Sequence, residues 1–342
     1  MTKVYVGMSG GVDSSLTAAL LVEAGYDVTG VYMKNWTQDM PGMRCPWADD
    51  LADAKRVAVH LGIDFKVFDF ENQYRDKVVD YMIDEYKKGR TPNPDIMCNQ
   101  EIKFKLFLET ALEDGADLVA TGHYAKTENG RLLLAEDTNK DQTYFLYRVE
   151  KSALEKTLFP LGGFTKPTVR KMAEERGLTT AAKKDSVGIC FVGQIGMREF
   201  LSQYVETEPG DIIDAKNGQT LGRHDGAIFY TLGQRHGLEI GGGLPYYVVG
   251  KDMEANQVFV STDLNDENLW KQTVPLEDIH WIDGRARTGE MRVRVRHRAQ
   301  LVVCRIQDNT ILFEQPQRAV TPGQSAVLYL DNECVGGGVV GA

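Results

Sequence analysis

Long apolar runs are absent from this 342-residue chain. No stretch reaches the roughly 18–20 residues that span a bilayer. The first residues enter an apolar segment with no basic leader or cleavage site ahead of it, so a cytoplasmic protein with no membrane partner is expected. Cysteine is scarce, at five residues, and no two are spaced as CxxC. That odd, scattered set argues against a zinc site and a disulfide framework, and no protein metal ligands are expected. In a cytosolic chain such thiols are buried hydrophobes or reactive groups. Basic charge is in deficit: 39 Lys and Arg against 49 Asp and Glu leave a net charge of −10. This excludes a surface coated in positive charge, so any nucleic-acid partner needs a local basic face. Internal repeats and low-complexity tracts are also missing. The remaining composition, 42% hydrophobic and 26% charged, is that of a globular protein long enough for two or three domains.

The chain is organised around Met8-Ser9-Gly10-Gly11-Val12-Asp13-Ser14-Ser15. Lys3 to Gly7 reads as a buried strand, and Leu16 to Ala24 as a helix stopped by Gly25. A strand, a Gly-rich turn and a helix start make an anion site, with N–H groups and the positive helix end pointing inward. Gly10 and Gly11 admit an oxyanion closely. Ser9, Ser14 and Ser15 offer hydroxyls, and Asp13 either holds a metal or caps the helix. No Lys follows the glycines, which separates this loop from GxxxxGK[ST]. It resembles instead the pyrophosphate loop of N-type ATP pyrophosphatases, which split ATP into AMP and pyrophosphate. A second strand, Asp27 to Met33, completes a parallel βαβ unit. Met33 then lies beside the loop, either under an adenine ring or in the core.

Further along, Thr91-Pro92-Asn93-Pro94-Asp95 reads as an extended turn fixed by its prolines. Cys98 follows, just before a helix expected over Glu101 to Glu113. A thiol at a helix N-terminus is a thiolate candidate, with Asp95 as a neighbouring acid or base; the alternative is a buried Cys under a Pro-rich loop. The strand Ala116 to Tyr124 ends at Gly122 and His123, both aimed at the same cleft, and Arg131 to Ala135 is a hairpin partner. Cys190 lies in Lys183-Lys184-Asp185-Ser186-Val187-Gly188-Ile189-Cys190, where nearby cations favour a thiolate and a junction core is the alternative. The composition shifts near Pro209 to short alternating strands, including Ala227 to Phe229. Met291 to Ala299 reads as a strand placing Arg292, Arg294, Arg296 and Arg298 on one face. That row suits a phosphate backbone, or else intramolecular carboxylates.

SGGVDSS, PNPDIMCN, ATGHYA, KKDSVGICF, TLGQRHGLEIGG, GGLPYYVVGKD and TPGQSAVLY occur here in the order seen in bacterial tRNA-specific 2-thiouridylases. Nearly the whole chain resembles that family. The resemblance implies an α/β fold: a parallel-sheet, adenine nucleotide alpha hydrolase-like domain over residues 1–205, a small β-rich domain over 206–268 and a tRNA-binding β-barrel over 269–342. It implies ATP on Gly7, Met8, Ser9, Gly10, Gly11, Val12, Asp13 and Ser14, with Met33 and Gly122 near the adenosine and Mg²⁺ on the departing pyrophosphate. Uridine O2 at the wobble position of Lys, Glu and Gln tRNAs becomes adenylated. Cys190 carries a persulfide from a sulfur carrier or cysteine desulfurase, Cys98 helps release its sulfur, and Asp95 is the acid/base. Asn93, Pro94 and Asp95 surround the base. Lys140, Asp141, Gln142, Arg296, His297, His123 and Gln324 contact the tRNA. His297 stands where the family pattern has an aromatic Tyr. Cys45, Cys304 and Cys334 match no catalytic motif. An ATP-dependent small-molecule ligase and an RNA-binding protein with a relict nucleotide fold are the competing readings. The first needs neither two thiols nor an arginine-rich β-domain, and the intact loop with both thiols speaks against the second.

Overall fold

The computed structural model describes residues 1–39, 45–184, 196–241 and 243–341. Cys190 lies outside the described residues. The chain opens with β1 (Lys3–Gly7), α1 (Val12–Glu23), β2 (Asp27–Lys34), α2 (Trp47–Leu61) and β3 (Asp64–Asp69). A helical run follows as α3 (Glu71–Tyr74), a π-helical stretch Arg75–Val79 and α4 (Asp80–Lys87). Next come α5 (Pro94–Met97), a π-helical stretch Cys98–Leu106, α6 (Phe107–Glu113) and β4 (Leu118–Ala120). After the hairpin β5 (Lys126–Glu128) and β6 (Arg131–Leu133) stand α7 (Thr143–Leu146), α8 (Lys151–Leu154), β7 (Thr157–Leu158), α9 (Lys166–Glu175) and α10 (Met197–Leu201).

The first sheet has the order β3-β2-β1-β4-β7, with every pair parallel. Its central strand β1 is apolar along its length because helices cover both faces: Val4 and Val6 enter one core with Leu16 and Val28, and Tyr5 enters the other with Val31 and Phe107. The chain winds outward from β1 through β2 to β3 and returns on the far side of β1 as β4. The strand order therefore reverses between β1 and β4, and ligands of such sheets bind at the carboxyl ends of strands at that reversal.

A second sheet contains β8 (Gly210–Asp214), β9 (Thr220–His224), β10 (Tyr247–Asp252) and β11 (Gln257–Ser261), in the order β10-β11-β8-β9. Ala227–Phe229, expected as a strand, is a 3₁₀ turn. The Asn256 side chain accepts from Ala227 N–H at 3.0 Å after Gly226 turns at φ +153°. The last six strands are β12 (Trp270–Trp281), β13 (Gly289–Arg294), β14 (Val302–Gln307), β15 (Thr310–Arg318), β16 (Ser325–Leu330) and β17 (Glu333–Val340). They close into a barrel through the β12–β17 pair, around Met291, Val293, Ile311, Phe313 and Leu328. The β5–β6 hairpin joins this barrel, because β6 pairs antiparallel with β17.

The arginine strand is shorter than its sequence suggests: β13 stops at Arg294, and Arg298 turns back at φ +64°. The four guanidinium groups do not form one outward row. Arg292 donates to the Asp331 carbonyl, Arg294 to Asp141 Oδ1 at 3.0 Å, Arg296 to the Ala319 carbonyl at 3.0 Å and Arg298 to the Asn139 carbonyl at 3.1 Å. Three of the four partners are backbone oxygens, which a side-chain alternation argument does not anticipate. Arg296 and Arg298 remain exposed, whereas Arg294 is buried.

Candidate active site

The glycine loop falls at the reversal between β1 and β4. Met8 N–H donates to the Val31 carbonyl at 2.8 Å, continuing the β1–β2 ladder one residue past the strand. Its side chain and that of Val12 are core. Ser9 is exposed, and its N–H donates to Ser14 Oγ at 3.2 Å. The Ser14 and Ser15 hydroxyls donate to the Gly11 carbonyl at 3.1 and 2.8 Å. The N-cap of α1 is Gly11, without a capping side chain, so the first N–H groups of the helix have no intrahelical partner and face the loop. Gly10 has φ +72°, and a Cβ there would collide with the Asp50 carbonyl. Met33 packs beside Gly7, its Cε 2.9 Å from where a Cβ would be.

Gly122 has a packing role at the glycine loop. A Cβ at Gly122 would lie 2.8 Å from Asp13 C and Ser14 N, so the missing side chain makes room for the first turn of α1 itself. Gly122→Ala must push that turn outward. We expect a stability loss of about 1–3 kcal/mol and weaker ATP binding, measured by denaturant unfolding and by titration calorimetry.

Asp13 does not cap α1 with its side chain. Its Oδ1 accepts from Tyr124 OH at 2.8 Å, and both carboxylate oxygens lie 2.7 Å from Lys166 Nζ. Lys183 Nζ likewise lies 2.7 Å from Asp50 and 2.6 Å from Asp53, at the edge of the same loop. Sequence reasoning missed Lys166, Tyr124 and the Lys183 pairing. The signal for Lys166 was its place at the start of a Pro-led helix, but nothing local says which loop that helix meets.

The Pro-rich stretch is more regular than expected. Pro94 starts α5, where a missing N–H costs nothing, and the wind changes to π at Cys98. Cys98 is therefore past the first helical turn, and the premise of a thiol at a helix start does not hold. It is 3% exposed and packs in the core with Trp36, Cys45 and Ile96. Burial pushes the Asp95 carboxyl above its ordinary range, with Lys103 acting in the opposite sense. Asn93 donates to Tyr144 OH at 3.3 Å. The barrel holds this loop: Thr91 N–H donates to the Pro322 carbonyl at 3.0 Å, and Gln324 Nε2 to the Thr91 carbonyl at 2.8 Å. The structure thus brings Asn93, Pro94, Asp95 and Gln324 together.

Other expected RNA contacts face inward. His123 is enclosed by Phe104 and Phe159, bonds Thr121 Oγ1 at 2.7 Å, and is held well below the ordinary imidazole range by burial. Asp141 is 2% exposed and takes Ala135 N–H, Thr143 Oγ1 and Arg294. Both side chains hold neighbouring elements in place in this structure. Gln142 is locked to Tyr124 by two 2.9 Å bonds, one each way. Lys140 is half-buried on the same turn. The other described thiols are buried: Cys45 bonds the Trp36 carbonyl, and burial raises Cys45, Cys304 and Cys334, with Cys304 reaching about 12.

His297 packs against Phe145, with ring centroids 4.5 Å apart and the planes tilted by 43°. Burial, then Arg298, Arg294 and Lys140, bring its imidazole down to about 4. The unfolded chain, near 6.5, takes the proton first. The contribution of neutral His297 is whole above pH 6.5 and declines as pH falls toward 4, by at most ~1.4 kcal/mol per pH unit. His297→Tyr keeps an aromatic face against Phe145 and removes the titration. We expect the variant's denaturation midpoint to fall less than the wild type's between pH 6.5 and 4.

An uncapped helix start at the reversal point of a parallel sheet, joined to a β-barrel, defines a nucleotide-binding α/β protein. Residues 2–194 match the family described as tRNA methyl transferase HUP domain, 198–262 its PRC-barrel domain and 271–340 the aminomethyltransferase beta-barrel domain. The chain is 47% identical over 359 residues to the tRNA-specific 2-thiouridylase MnmA of Limosilactobacillus reuteri, covering 99% of this chain and 95% of the relative. It is 47% identical over 351 residues to MnmA of Geobacillus thermodenitrificans, covering 99% and 94%. A solved 4-thiouridine synthetase–RNA complex with bound ATP aligns over 60% of this chain and 50% of that one, at 18% identity and a TM-score of 0.39. The chain belongs to the family of tRNA-specific 2-thiouridylases.

Proposed function

We propose that this chain is an ATP-dependent tRNA-uridine 2-sulfurtransferase acting on the wobble uridine of Lys, Glu and Gln tRNAs in the cytoplasm. The observation that carries the reading is the uncapped Gly10-Gly11 helix start at the sheet's reversal point, in a chain 47% identical to the named thiouridylases. The triphosphate rests on the N–H groups of residues 9–14, and Met33 borders the adenosine. Uridine O2 attacks the α-phosphorus and pyrophosphate leaves. Mg²⁺, if bound with ATP, would neutralise the charge of the departing pyrophosphate. The outer sulfur of a Cys190 persulfide, supplied by a sulfur carrier or desulfurase, reaches C2, and AMP departs with the oxygen. The Cys98 thiolate attacks Cys190 Sγ, either before the outer sulfur reaches C2, expelling it as sulfide, or after, expelling it as the thiocarbonyl sulfur; on both routes the persulfide S–S bond breaks, and the Cys98–Cys190 disulfide that forms is reduced by an external thiol. Asp95, with its raised carboxyl, moves the proton beside the base. We divide the chain into residues 1–205 for catalysis, a small β-rich domain over 206–268 and a tRNA-binding barrel over 269–342.

The test is thiolation of unmodified tRNA with ATP, Mg²⁺, cysteine and a desulfurase, scored by retardation in a mercury-containing gel. Retardation that requires ATP is expected. Steady AMP release without tRNA, and no retardation even with added sulfide, would replace this reading with a small-molecule ligase.

A further inference from the structure

Two carboxylate oxygens of the phosphate loop are spoken for by one buried ammonium. Lys166 is 7% exposed, and its Nζ lies 2.7 Å from both oxygens of Asp13. Tyr124 OH fixes Oδ1 from a second direction at 2.8 Å. The lysine is itself anchored: its backbone N–H donates to Asp137 Oδ2 at 2.8 Å, and its ammonium lies 5.8 Å from the Tyr124 ring centroid.

Asp13 occupies the first turn of α1, where the helix dipole welcomes a negative charge. That is the place where a polyphosphate would compete for the same positive field. A lone carboxylate there would fill the site's electrostatic role and repel an incoming anion. Paired with Lys166 it is neutral, and the uncapped N–H groups are left to the ligand. We infer that Lys166 is a positioning residue for the nucleotide: it acts through Asp13, cancelling the carboxylate's charge so that the loop accepts a polyphosphate, and does not itself touch the phosphates. The inference rests on the nucleotide reading above.

Dissociation constants for ATP, measured by titration calorimetry on the full chain with and without Mg²⁺, test it. K166M should weaken metal-free ATP binding by at least about tenfold at low salt, with the difference shrinking as salt is added. K166R should stay within about threefold of wild type, as should K166M/D13N, in which both charges are gone. D13N alone should tighten metal-free ATP severalfold, an outcome readable even if K166M does not fold. A purely structural lysine would lower the melting temperature and leave these constants unmoved, which would overturn the inference. So would K166M/D13N binding as weakly as K166M, which would place the ammonium on the phosphates, or D13N binding more weakly than wild type. Wild type that takes MgATP but not metal-free ATP would also overturn it. Folded wild type that takes neither would instead defeat the nucleotide reading.

Discussion

Cys98→Ala is expected to cut tRNA thiolation by about 10³-fold or more, the scale on which loss of a nucleophile is felt, while the protein stays folded. The two effects separate because of where the thiol is. Cys98 is buried at the point where α5 passes into the π-helical stretch. It belongs to the same buried core as Trp36, Cys45 and Ile96. Removing one sulfur from that core leaves a void smaller than a Leu→Ala cavity, so the stability cost stays near ~1 kcal/mol. Alanine also suits the helix. Far-ultraviolet dichroism and the denaturation midpoint should therefore hardly move, whereas mercury-gel retardation should disappear. ATP binding should persist, because the glycine loop does not use this side chain. If Cys98→Ala still thiolates at more than about a tenth of the wild-type rate, the nucleophile assignment fails.

Asp141→Ala should destabilise the protein by about 3–5 kcal/mol, because it leaves Arg294 buried without its counter-charge. The two side chains meet at 3.0 Å, with relative exposures of 9% and 1%. Asp141 also receives the Ala135 N–H at 2.8 Å and the Thr143 hydroxyl at 2.6 Å. Thr143 in turn meets Tyr329 OH at 3.1 Å, and the Arg294 guanidinium lies 5.5 Å from the Tyr329 ring centroid. One carboxylate thus ties the turn before α7 to the barrel wall. Arg294→Met should cost a similar amount, and the double variant should cost less than the two single losses added together, since neither charge is then stranded. Urea unfolding followed by fluorescence measures this. A loss below about 1 kcal/mol for Asp141→Ala would mean that the site is wetter than its burial indicates.

The contrast between these residues shows what a linear chain reveals. Strand, turn and helix at residues 3–24 were legible because apolar periodicity, two glycines and a helix run agree locally. Asp13 was visible as a loop carboxylate, but its partner Lys166 is 153 residues away, and no local pattern encodes that meeting. Cys98 was legible as a residue of interest, yet its helix starts seven residues earlier than expected because Pro94 serves as a first helical residue instead of a breaker. The arginine row was misjudged because the alternation rule holds only while the strand lasts, and β13 ends at Arg294. Asp141 and His123 carry polar side chains whose burial depends on Arg294 and Phe159 from distant elements.

The β5–β6 hairpin has a consequence for how the chain is made. Its inner strand, β6, pairs with β17, with Leu132 and Cys334 in register and both almost fully buried. Arg131 is held by two bonds to Glu333 at 2.8 and 2.6 Å. Residues 133 and 333 leave the ribosome 200 positions apart, an interval of about 10–40 s at ~5–20 residues per second. Throughout that time β6 is an open edge with no strand to meet it. The nascent N-terminal half must wait for the last translated strand before its surface closes, so a ribosome stalled within the barrel releases a chain that presents a ready template for intermolecular pairing.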